Sequence, residues 1–394
     1  MRIVDRELGT VLASKCFGMR ARKQFVTPPL ARRLAASRPR ESRARVRVTL
    51  SRSDRSFAAA PERTLLDAAL DAGLNVPHSC KDGNCGACRA RLMAGRVRYP
   101  NGPPLGLSDA ERSDGLILLC QAHAESDVTL ETFEAGNADE IAVKRLPCRI
   151  ERLEHLSHDV LGVYLRLPAA ERFDFKPGQY IDVMLPRGRR RSFSIASPPH
   201  DARTLELHVR RVPRGEFTER IFAEDARGTL LDIEGPLGHF VYRESCAEQA
   251  PPMLLVGGGT GLAPLKSIIR HVLEKNLPRE MLLYWGVRSE RDLYHHAVLE
   301  ELVRRDARLR YAPVLSEPSA GWSGRKGLVH EAVLADIESL ARYQVYASGP
   351  PEMIAALRRD FPARGLPASQ LSFDSFDYAP DSLARQRSSA ATRS

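Results

Sequence analysis

Four cysteines stand at a spacing that suits a metal–sulfur site. Four residues separate Cys80 from Cys85, two separate Cys85 from Cys88, and thirty-one lie between Cys88 and Cys120. A loop that carries three cysteines in the C-x4-C-x2-C spacing, with a fourth far along the chain, is typical of a plant-type [2Fe-2S] cluster. We therefore predict that these four thiolates bind such a cluster.

Zinc is the alternative occupant, because four cysteines also suit a tetrahedral zinc ion. Structural zinc sites usually pair two short knuckles, whereas here three ligands share one loop and the fourth stands alone. Gly83 and Gly86 lie inside that loop, where a chain wrapped around a cluster often needs a positive φ and close backbone N–H groups. The pattern favours the cluster. The remaining alternative is a structural zinc module fused to a nucleotide-binding domain. An absorption spectrum typical of iron–thiolate bonds would exclude it.

The segments around the cysteines predict one compact domain. Ala44–Leu50 alternates apolar and polar residues, as a half-buried strand does. Thr64 suits the N-cap of a helix that Gly73 ends, and Val128–Thr132 has the pattern of another strand. We place the domain that would hold the cluster at residues 44–134.

Two further domains are expected after it. Residues 135–147 hold glycine, asparagine, acids and a proline, and we predict a linker there. Residues 145–248 show short strands separated by proline and glycine, which indicates a small antiparallel β-barrel. After Pro251 and Pro252, apolar strands alternate with amphipathic helices across residues 250–380, which indicates a parallel sheet. The predicted fold is therefore multidomain, with α+β and α/β parts.

The two ends of the chain carry its positive charge. The formal net charge is +10, and residues 1–45 alone hold twelve Lys and Arg against three Asp and Glu. We predict a basic, disordered arm over residues 1–43 and a disordered tail over residues 381–394. A transit peptide or an upstream start codon is the alternative for the arm. Because the intervening body is close to neutral, no nucleic-acid partner is expected.

The apolar runs and the cysteines bear on where the chain works. The longest apolar runs, such as Met253–Val256, fall far short of the roughly 20 residues that cross a bilayer, so no membrane span is expected. Seven cysteines, four of them in a metal-ligand pattern, do not suit a disulfide framework. A reducing, cytoplasmic location is the prediction that follows.

A short predicted strand, Arg191–Ala196, alternates in a way that suits a cofactor. Arg191 and Phe193 fall on one face of it, and Ser192 and Ser194 fall on the other. A cation and an aromatic ring on one face could meet a phosphate and a planar ring together. Alone this pattern is weak, because an arginine on a strand is usually just solvated.

Two turns that contain glycine strengthen the case for a cofactor. Gly215 and Thr218 precede a helix-like run, and the start of a helix presents free N–H groups to a pyrophosphate. Gly257–Gly261 follows an apolar strand and leads into a helix, which is the order of a nucleotide-binding unit. It is not the full G-x-G-x-x-G, since Pro264 holds the third glycine position. Together the turns indicate cofactors that carry phosphates.

These residues resemble the ferredoxin-NADP reductase superfamily, in its subgroup with an N-terminal plant-type ferredoxin domain. The resemblance covers roughly residues 44–378. Members with this domain order include the reductases of methane and benzoate oxygenases and CDP-6-deoxy-Δ3,4-glucoseen reductase, and Leu107–Arg112 and Leu283–Tyr294 look closest to the last. The resemblance rests on His78–Cys88, Cys120, Pro177–Tyr180, Arg191–Ser194, Gly215–Thr218, Gly257–Pro264, Tyr284–Gly286, Ser348–Pro350 and Asp374–Phe376.

The resemblance implies a β-grasp ferredoxin domain and a flavin site in the middle domain. Arg191 would bind the FAD pyrophosphate, Phe193 would pack on the isoalloxazine ring, and Ser194 would lie near flavin N5. Tyrosine is common in the family where this chain has Phe193, which keeps the stacking surface but loses a hydroxyl. The further residues expected at the flavin or its phosphates are Ser192, His208, Val209, Arg210, Gly215 and Thr218.

The resemblance also implies a nicotinamide site in the last domain. Gly259, Thr260 and Gly261 would meet the nucleotide. Ser348 would lie near the nicotinamide, where the family usually has cysteine. Phe376 resembles the C-terminal aromatic residue that shields the flavin until the nicotinamide displaces it.

The function that these features imply is electron transfer. NAD(P)H gives up two electrons as a hydride, whereas a [2Fe-2S] cluster accepts one electron at a time, and an FAD between them can exchange either number. We therefore expect an NAD(P)H-dependent oxidoreductase that passes electrons through FAD and the cluster to a protein acceptor, an oxygenase or a dehydratase. No proton-transfer residue is nominated. A redox sensor that does not turn over is the alternative class.

The residues after the second strand of the last domain favour NADH over NADPH. Arg288, Ser289 and Arg291 could meet a 2′-phosphate, but Glu290 and Asp292 lie among them and would repel one. We therefore expect NADH as the nucleotide.

Overall fold

A computed structural model describes residues 45–376 except 75, 79–80, 82, 84–85, 87, 105, 108, 133–140, 187–188, 202, 214, 224–225 and 245–249. These residues lie in one compact unit, Arg43–Ser394. The predicted arm, the predicted tail and the predicted ligands Cys80 and Cys85 lie outside the described residues. In the described part of the chain, no helix is long and apolar enough to cross a membrane.

The elements of the first domain are β1 (Val46–Leu50), β2 (Ser56–Ala59), α1 (Leu65–Asp71), β3 (Arg89–Ala94), β4 (Val97–Arg98), α2 (Asp109–Ser113), β5 (Leu116–Leu118), β6 (His123–Ala124) and β7 (Val128–Glu131). Five of the strands form a mixed sheet in the order β2-β1-β7-β3-β5, with β1 and β7 parallel. Thr64 caps α1, because its hydroxyl accepts a hydrogen bond from Asp67 N at 3.0 Å, and Gly73 lies past the end of α1 with a φ of +71°. The predicted cap and stop are confirmed.

The elements of the middle domain are β8 (Lys144–His155), β9 (Val160–Arg166), β10 (Tyr180–Met184), β11 (Arg190–Ser194), β12 (Thr204–Arg210), α3 (Glu216–Phe222) and β13 (Leu230–Leu237). The six strands form an antiparallel sheet in the order β11-β10-β13-β8-β9-β12. A single bridge between Ile195 and Leu207 joins its two edges, and no continuous ladder joins them among the described residues.

The predicted linker over residues 135–147 is wrong at its far end, because β8 begins at Lys144 and runs through Pro147. Leu146 and Cys148 alternate inward and are buried in the core, so the backbone must be extended there. The ladder between β8 and β9 begins only at Arg149, so one side of β8 is unpaired beside Pro147. A proline has no N–H to donate, and an unpaired side of a strand accommodates it.

The elements of the last domain are β14 (Met253–Gly258), α4 (Leu262–Glu274), β15 (Met281–Val287), α5 (His296–Arg305), β16 (Leu309–Leu315), β17 (Arg325–Lys326), α6 (Val329–Asp336), β18 (Gln344–Gly349), α7 (Pro351–Asp360) and β19 (Leu371–Ser375). The strands pair in parallel in the order β17-β16-β15-β14-β18-β19, which confirms the predicted parallel sheet. The chain runs outward from β14 to β17 and then returns to the other side of β14 with β18. A crevice therefore forms where the carboxyl ends of β14 and β18 meet, which is where open parallel sheets bind ligands.

Candidate functional site

The predicted glycine turn, residues 257–261, lies at this crevice. Gly259 has a φ of +54°, a left-handed conformation that glycine adopts without strain, and Trp285 Nε1 donates a hydrogen bond to its carbonyl oxygen at 2.8 Å. A Cβ atom at Gly261 would lie 2.0 Å from the carbonyl oxygen of Ser348, so the turn can pack against β18 only with glycine there. The structure thus brings the predicted nucleotide residues of the turn beside Ser348.

Ser348 is a buried polar residue at the centre of this crevice. It lies beside Gly257 in the sheet and has 0% of its surface exposed. Its hydroxyl oxygen has no hydrogen-bond partner among the described residues. A buried polar group left without a partner costs about 1–3 kcal/mol, so the position suits a ligand that offers a polar group. A nicotinamide, which carries a carboxamide, fits that requirement.

Phe376 lies at the same edge of the sheet. It follows β19, which pairs with β18, and its backbone N–H donates a hydrogen bond to Gly349 O at 3.2 Å. Its ring is partly exposed. The predicted shielding residue therefore lies next to the strand that carries Ser348.

The predicted flavin residues 191–194 occupy most of β11. The ring of Phe193 packs on that of Phe217 at a centroid distance of 5.3 Å, and the Ser192 hydroxyl donates a hydrogen bond to buried Asp182 at 2.6 Å. Arg191 is partly buried, and its Nη1 donates to the carbonyl oxygen of the preceding residue at 2.8 Å. A guanidinium, a ring and hydroxyls on one strand are a donor set that fits a flavin with its pyrophosphate.

Gly215 is the N-cap of α3, and Thr218 lies in the first turn of that helix instead of preceding it as predicted. A Cβ atom at Gly215 would lie 2.5 Å from the Thr218 hydroxyl, so this close contact needs glycine. The Thr218 hydroxyl accepts a hydrogen bond from Val212 N at 3.1 Å and is buried. The hydroxyl therefore holds the turn together, and a phosphate contact from Thr218 stays a prediction.

The three predicted flavin residues of β12 face different surroundings. Val209 is buried in the core of the middle domain. His208 is buried against the last domain, where Tyr294 Oη donates a hydrogen bond to its Nδ1 at 3.1 Å. Burial lowers the pKa of His208 to about 4, so the ring is neutral near pH 7. Arg210 lies 3.2 Å from Asp159 and reaches toward Gly259, so it joins β12 to the glycine turn.

A polar cluster around His208 was not predicted from the sequence. Lys266 Nζ of α4 lies 2.5 and 2.6 Å from the two carboxylate oxygens of Glu206, and His295 Nε2 lies 3.3 Å from His208 Nε2. All of these side chains are buried. A signal was present, because Glu206 interrupts the apolar run of β12 and Lys266 lies on the buried face of α4.

The cluster loop, residues 78–88, is described in part. Cys88 and Cys120 are both buried, and Cys120 N donates a hydrogen bond to Cys88 Sγ at 3.5 Å. Gly83 and Gly86 have φ values of +81° and +71°, which confirms the predicted need for glycine in this loop. Adjacent sulfurs that accept backbone N–H groups fit the ligation of an iron–sulfur cluster.

The cluster domain contacts both other domains, through the cluster loop and through α2. His78 Nδ1 lies 3.3 Å from His239 Nε2 of the middle domain, with the ring centroids 5.1 Å apart. Glu111 of α2 pairs with Arg89, which follows Cys88, and also accepts a hydrogen bond from Arg358 of α7 at 3.0 Å. The cluster domain is therefore anchored on both of its neighbours.

Three family models match the chain, one in each domain. Residues 48–125 match the 2Fe-2S iron-sulfur cluster binding domain, residues 147–242 match the oxidoreductase FAD-binding domain, and residues 255–359 match the oxidoreductase NAD-binding domain. The chain therefore combines a [2Fe-2S] cluster, FAD and NAD(P)H, as predicted.

Known proteins of similar sequence and structure span most of the chain. The CDP-6-deoxy-L-threo-D-glycero-4-hexulose-3-dehydrase reductase of Yersinia pestis is 38% identical over 313 residues, 79% of this chain and 93% of the relative. The reductase subunit of an Amycolatopsis aromatic O-demethylase is 36% identical over 80% of this chain and 94% of its own length. The solved structure of an Amycolatopsis cytochrome P450 reductase superposes with a TM-score of 0.68 at 33% identity, over 84% of this chain and 98% of the neighbour.

The chain belongs to the ferredoxin-NADP reductase superfamily, in the subgroup with an N-terminal plant-type ferredoxin domain. It is an NAD(P)H-dependent oxidoreductase in which electrons pass through FAD to a [2Fe-2S] cluster and on to a partner protein. The function predicted from the cysteines and the two turns is confirmed at this level.

Proposed function

We propose that this chain takes electrons from NADH and delivers them to an enzyme that removes oxygen from a sugar nucleotide. The observation that carries the route is that the middle domain touches both others. His239 meets His78 of the cluster loop at 3.3 Å, and Arg210 reaches toward Gly259 of the glycine turn. An FAD held in the middle domain would then accept electrons from the nucleotide on one side and pass them to the cluster on the other.

We assign the flavin to β11 and its surroundings. Arg191 would neutralise the pyrophosphate, Phe193 would offer its ring to the isoalloxazine, and Ser194 would lie near flavin N5. Bound FAD supplies the exchange between two-electron and one-electron transfer. The protein holds and orients it, and the residues that would complete the site are Ser192, His208, Val209, Arg210, Gly215 and Thr218.

We assign the nicotinamide nucleotide to the crevice between β14 and β18. Thr260 and the glycines beside it would hold the pyrophosphate, and the Ser348 hydroxyl would pair with the nicotinamide carboxamide. Phe376 would cover the flavin until the nucleotide enters. The buried, unpartnered Ser348 hydroxyl supports this assignment.

The [2Fe-2S] cluster would be held by Cys80, Cys85, Cys88 and Cys120. The N–H donated from Cys120 to the Cys88 sulfur supports this ligand set. We propose further that the first domain is a β-grasp fold and that the middle domain closes into an antiparallel barrel at Ile195 and Leu207.

The proposed domain limits are residues 44–134, 145–248 and 250–380, with a disordered arm over 1–43 and a disordered tail over 381–394. The matched family ranges fall inside these domain limits. We also propose a cytoplasmic location, because thiol ligands persist in a reducing compartment.

The preference for NADH is proposed from Glu290, which follows β15. Its carboxylate accepts hydrogen bonds from Ser319 N at 3.0 Å and from the Ser319 hydroxyl at 2.5 Å, and these bonds hold the pKa of Glu290 below its usual range. Asp292 instead accepts a hydrogen bond from Ser289 N at 3.0 Å and is buried. A fixed, ionised Glu290 would accept the ribose 2′-hydroxyl of NADH and repel the 2′-phosphate of NADPH.

Replacing Glu290 by glutamine tests this preference. We expect the ratio of kcat/KM for NADH to that for NADPH to fall about tenfold, since the change removes the like-charge repulsion between Glu290 and the 2′-phosphate. Glu280→Gln is the matched control, because Glu280 is exposed next to the opposite end of β15. An unchanged ratio in Glu290→Gln would contradict the assignment.

The acceptor is proposed from the Yersinia relative, whose name couples a reductase to a hexulose dehydrase. An oxygenase is the second candidate, since the Amycolatopsis relative serves an aromatic O-demethylase. Stopped-flow mixing of the reduced chain with each purified acceptor measures which one accelerates reoxidation of the cluster. Acceleration by an oxygenase alone would refute the sugar-nucleotide assignment. Absorbance bands that stay unbleached under anaerobic NADH would instead refute the reductase function and favour a sensor.

A further inference from the structure

Three buried polar side chains of β12 and α4 meet a partly buried tyrosine that follows β15. We call Glu206, His208, Lys266 and Tyr294 the buried bridge. Lys266 Nζ lies 2.5 and 2.6 Å from the Glu206 oxygens, His208 Nε2 donates to Glu206 Oε1 at 3.1 Å, and Tyr294 Oη donates to His208 Nδ1 at 3.1 Å. Every polar atom in this chain of contacts has a partner.

The buried bridge carries a full ion pair that is largely shielded from water, at the wall of a cavity of about 950 Å³. Burial alone would raise the pKa of the Glu206 carboxyl, but the hydrogen bond from His208, the nearby His295 ring and the charge of Lys266 outweigh burial and hold it far below its usual range. A buried ion pair contributes little net stability, because removing two charges from water offsets their attraction. Its best-supported use is to fix one geometry among several packings.

The geometry that this bridge fixes is the approach of the glycine turn to β12. Lys266 lies in the second turn of α4, which begins directly after Gly261. Tyr294 packs edge-on against Trp285 at a centroid distance of 5.0 Å, and Trp285 Nε1 donates to Gly259 O at 2.8 Å. The middle of the turn and the helix that follows it are therefore both tied to the strand that carries Glu206 and His208.

A metal ion is a weaker explanation of the same cluster. Glu206 Oε1, His208 Nε2 and His295 Nε2 lie within 4.8 Å of one another, as ligands of one ion could. The ammonium of Lys266 already contacts both oxygens of Glu206, and a divalent cation would have to displace it or lie beside its charge. Lys266 is therefore the cation of this cluster.

We propose that the Glu206–Lys266 pair is a positioning device for hydride transfer, which sets how closely the nicotinamide can approach the flavin although neither residue touches a cofactor. The inference rests on the proposed placement of the flavin at β11–β12 and of the nucleotide at the glycine turn. Hydride transfer needs reacting atoms about 3–3.5 Å apart, and a misplacement of about 1 Å can cost about 100-fold in rate. A rigid link between the two binding elements supplies that alignment.

The test is Lys266→Met in the full-length holoprotein. In anaerobic stopped-flow, the limiting rate constant for flavin reduction by NADH should fall about 10- to 100-fold, while the concentration of NADH at half saturation changes little. Hydrogen exchange in residues 204–210 and 262–274 should become faster, with or without nucleotide. Arg270→Met is the matched control, because Arg270 lies one turn further along α4, lines the same cavity as Lys266, and among the described residues forms an ion pair with exposed Glu274 alone. It should leave both measurements unchanged.

The double variant Glu206→Gln/Lys266→Met separates positioning from stability. It removes both charges, so its denaturation midpoint should return toward that of the wild type while flavin reduction stays slow. A wild-type rate in the double variant would overturn the proposal, because only the unpaired charge of the single variant would then have mattered. If Lys266→Met does not fold, the double variant decides alone. If NADH fails to bleach the flavin absorbance of the wild-type chain, the proposed function is refuted instead. The hydrogen-exchange measurement needs no turnover, so it would still decide whether the Glu206–Lys266 pair holds the glycine turn against β12.

Discussion

The two sides of the middle domain are joined to their neighbours in different ways. Toward the nicotinamide domain, the contact is a buried ion pair between Glu206 and Lys266 that His208 and Tyr294 extend. Toward the cluster domain, the contact is between the rings of His78 and His239. This contact does not need a charge on either ring. One side is held by several short, directional bonds and the other by the contact of two rings.

The difference matches the two kinds of electron transfer. A hydride moves with its nucleus and needs atoms in near contact, so small displacements are costly. A single electron crosses a longer gap, and its rate varies more gently with distance and angle. We infer that the nicotinamide side is built for alignment and the cluster side for proximity.

The largest effect expected is from removing Cys120, a proposed cluster ligand. Cys120→Ser should leave flavin reduction by NADH intact but lower the rate of electron delivery to the acceptor more than about 100-fold. Mutating even the residues that hydrogen-bond to metal ligands lowers metal affinity or activity about 10–100-fold. Separate stopped-flow measurements of flavin bleaching and acceptor reduction check this.

Cys148→Ala is the control for that variant. Cys148 is also buried, but it lies in the core of the middle domain, and burial raises the pKa of its thiol to about 12, so it is not poised to bind metal. Iron content and acceptor reduction should stay at wild-type values. Loss of flavin reduction in Cys120→Ser would break the comparison, because the two sides would then not act independently.

Acid should weaken the buried contact on the alignment side. The pKa of His208 is about 4 in the folded chain against 6.5 unfolded, so its contribution to stability is complete above pH 6.5 and is lost as the pH falls toward 4. Between pH 7 and pH 5 the loss should be about 2 kcal/mol of unfolding free energy.

Denaturation followed by tryptophan fluorescence measures this loss, because Trp285 and Trp322 both lie in the nicotinamide domain. The variant His208→Gln should lose less stability over the same range. An equal loss in both proteins would mean that His208 is not the titrating group.

The smallest effect expected is at the other side. His239→Ala should slow cluster reduction about threefold, since an aromatic pair contributes only about 0.5–1.5 kcal/mol, and the contact between Glu111 and Arg358 still anchors the domain. Flavin reduction by NADH should not change. His155→Ala, an exposed histidine of β8, is the control. If flavin reduction slowed as much as cluster reduction, His239 would belong to the flavin site instead.

The parts that the sequence predicted well are those that depend on local geometry. Gly83 and Gly86 need positive φ, Thr64 caps a helix, and the glycine turn follows its strand, and each of these follows from neighbours along the chain. The order of the three domains is likewise a matter of composition and period. These features could be placed without knowing which surfaces meet.

The parts that the sequence did not predict depend on which surfaces meet. Glu206 and Lys266 are 60 residues apart and belong to different domains, so periodicity describes each element without indicating the partner. His208 stays a predicted flavin residue, but its contact with Tyr294 could not be predicted, because alternation fixes the face of a strand and not what covers it. Pro147 suggested a linker, although one unpaired side of β8 accommodates it.

The hydroxyl of Ser348 matters for oxidative damage to the protein as well as for the proposed binding of the nucleotide. A thiol at such a position can be oxidised stepwise to sulfenic, sulfinic and sulfonic acids, and it can be capped by alkylating reagents. An alcohol undergoes none of these steps under the same conditions. The resemblance implies a cysteine at this position, whereas this chain has a hydroxyl, so we expect the proposed nucleotide crevice to lose no function to peroxide at this atom when the crevice opens.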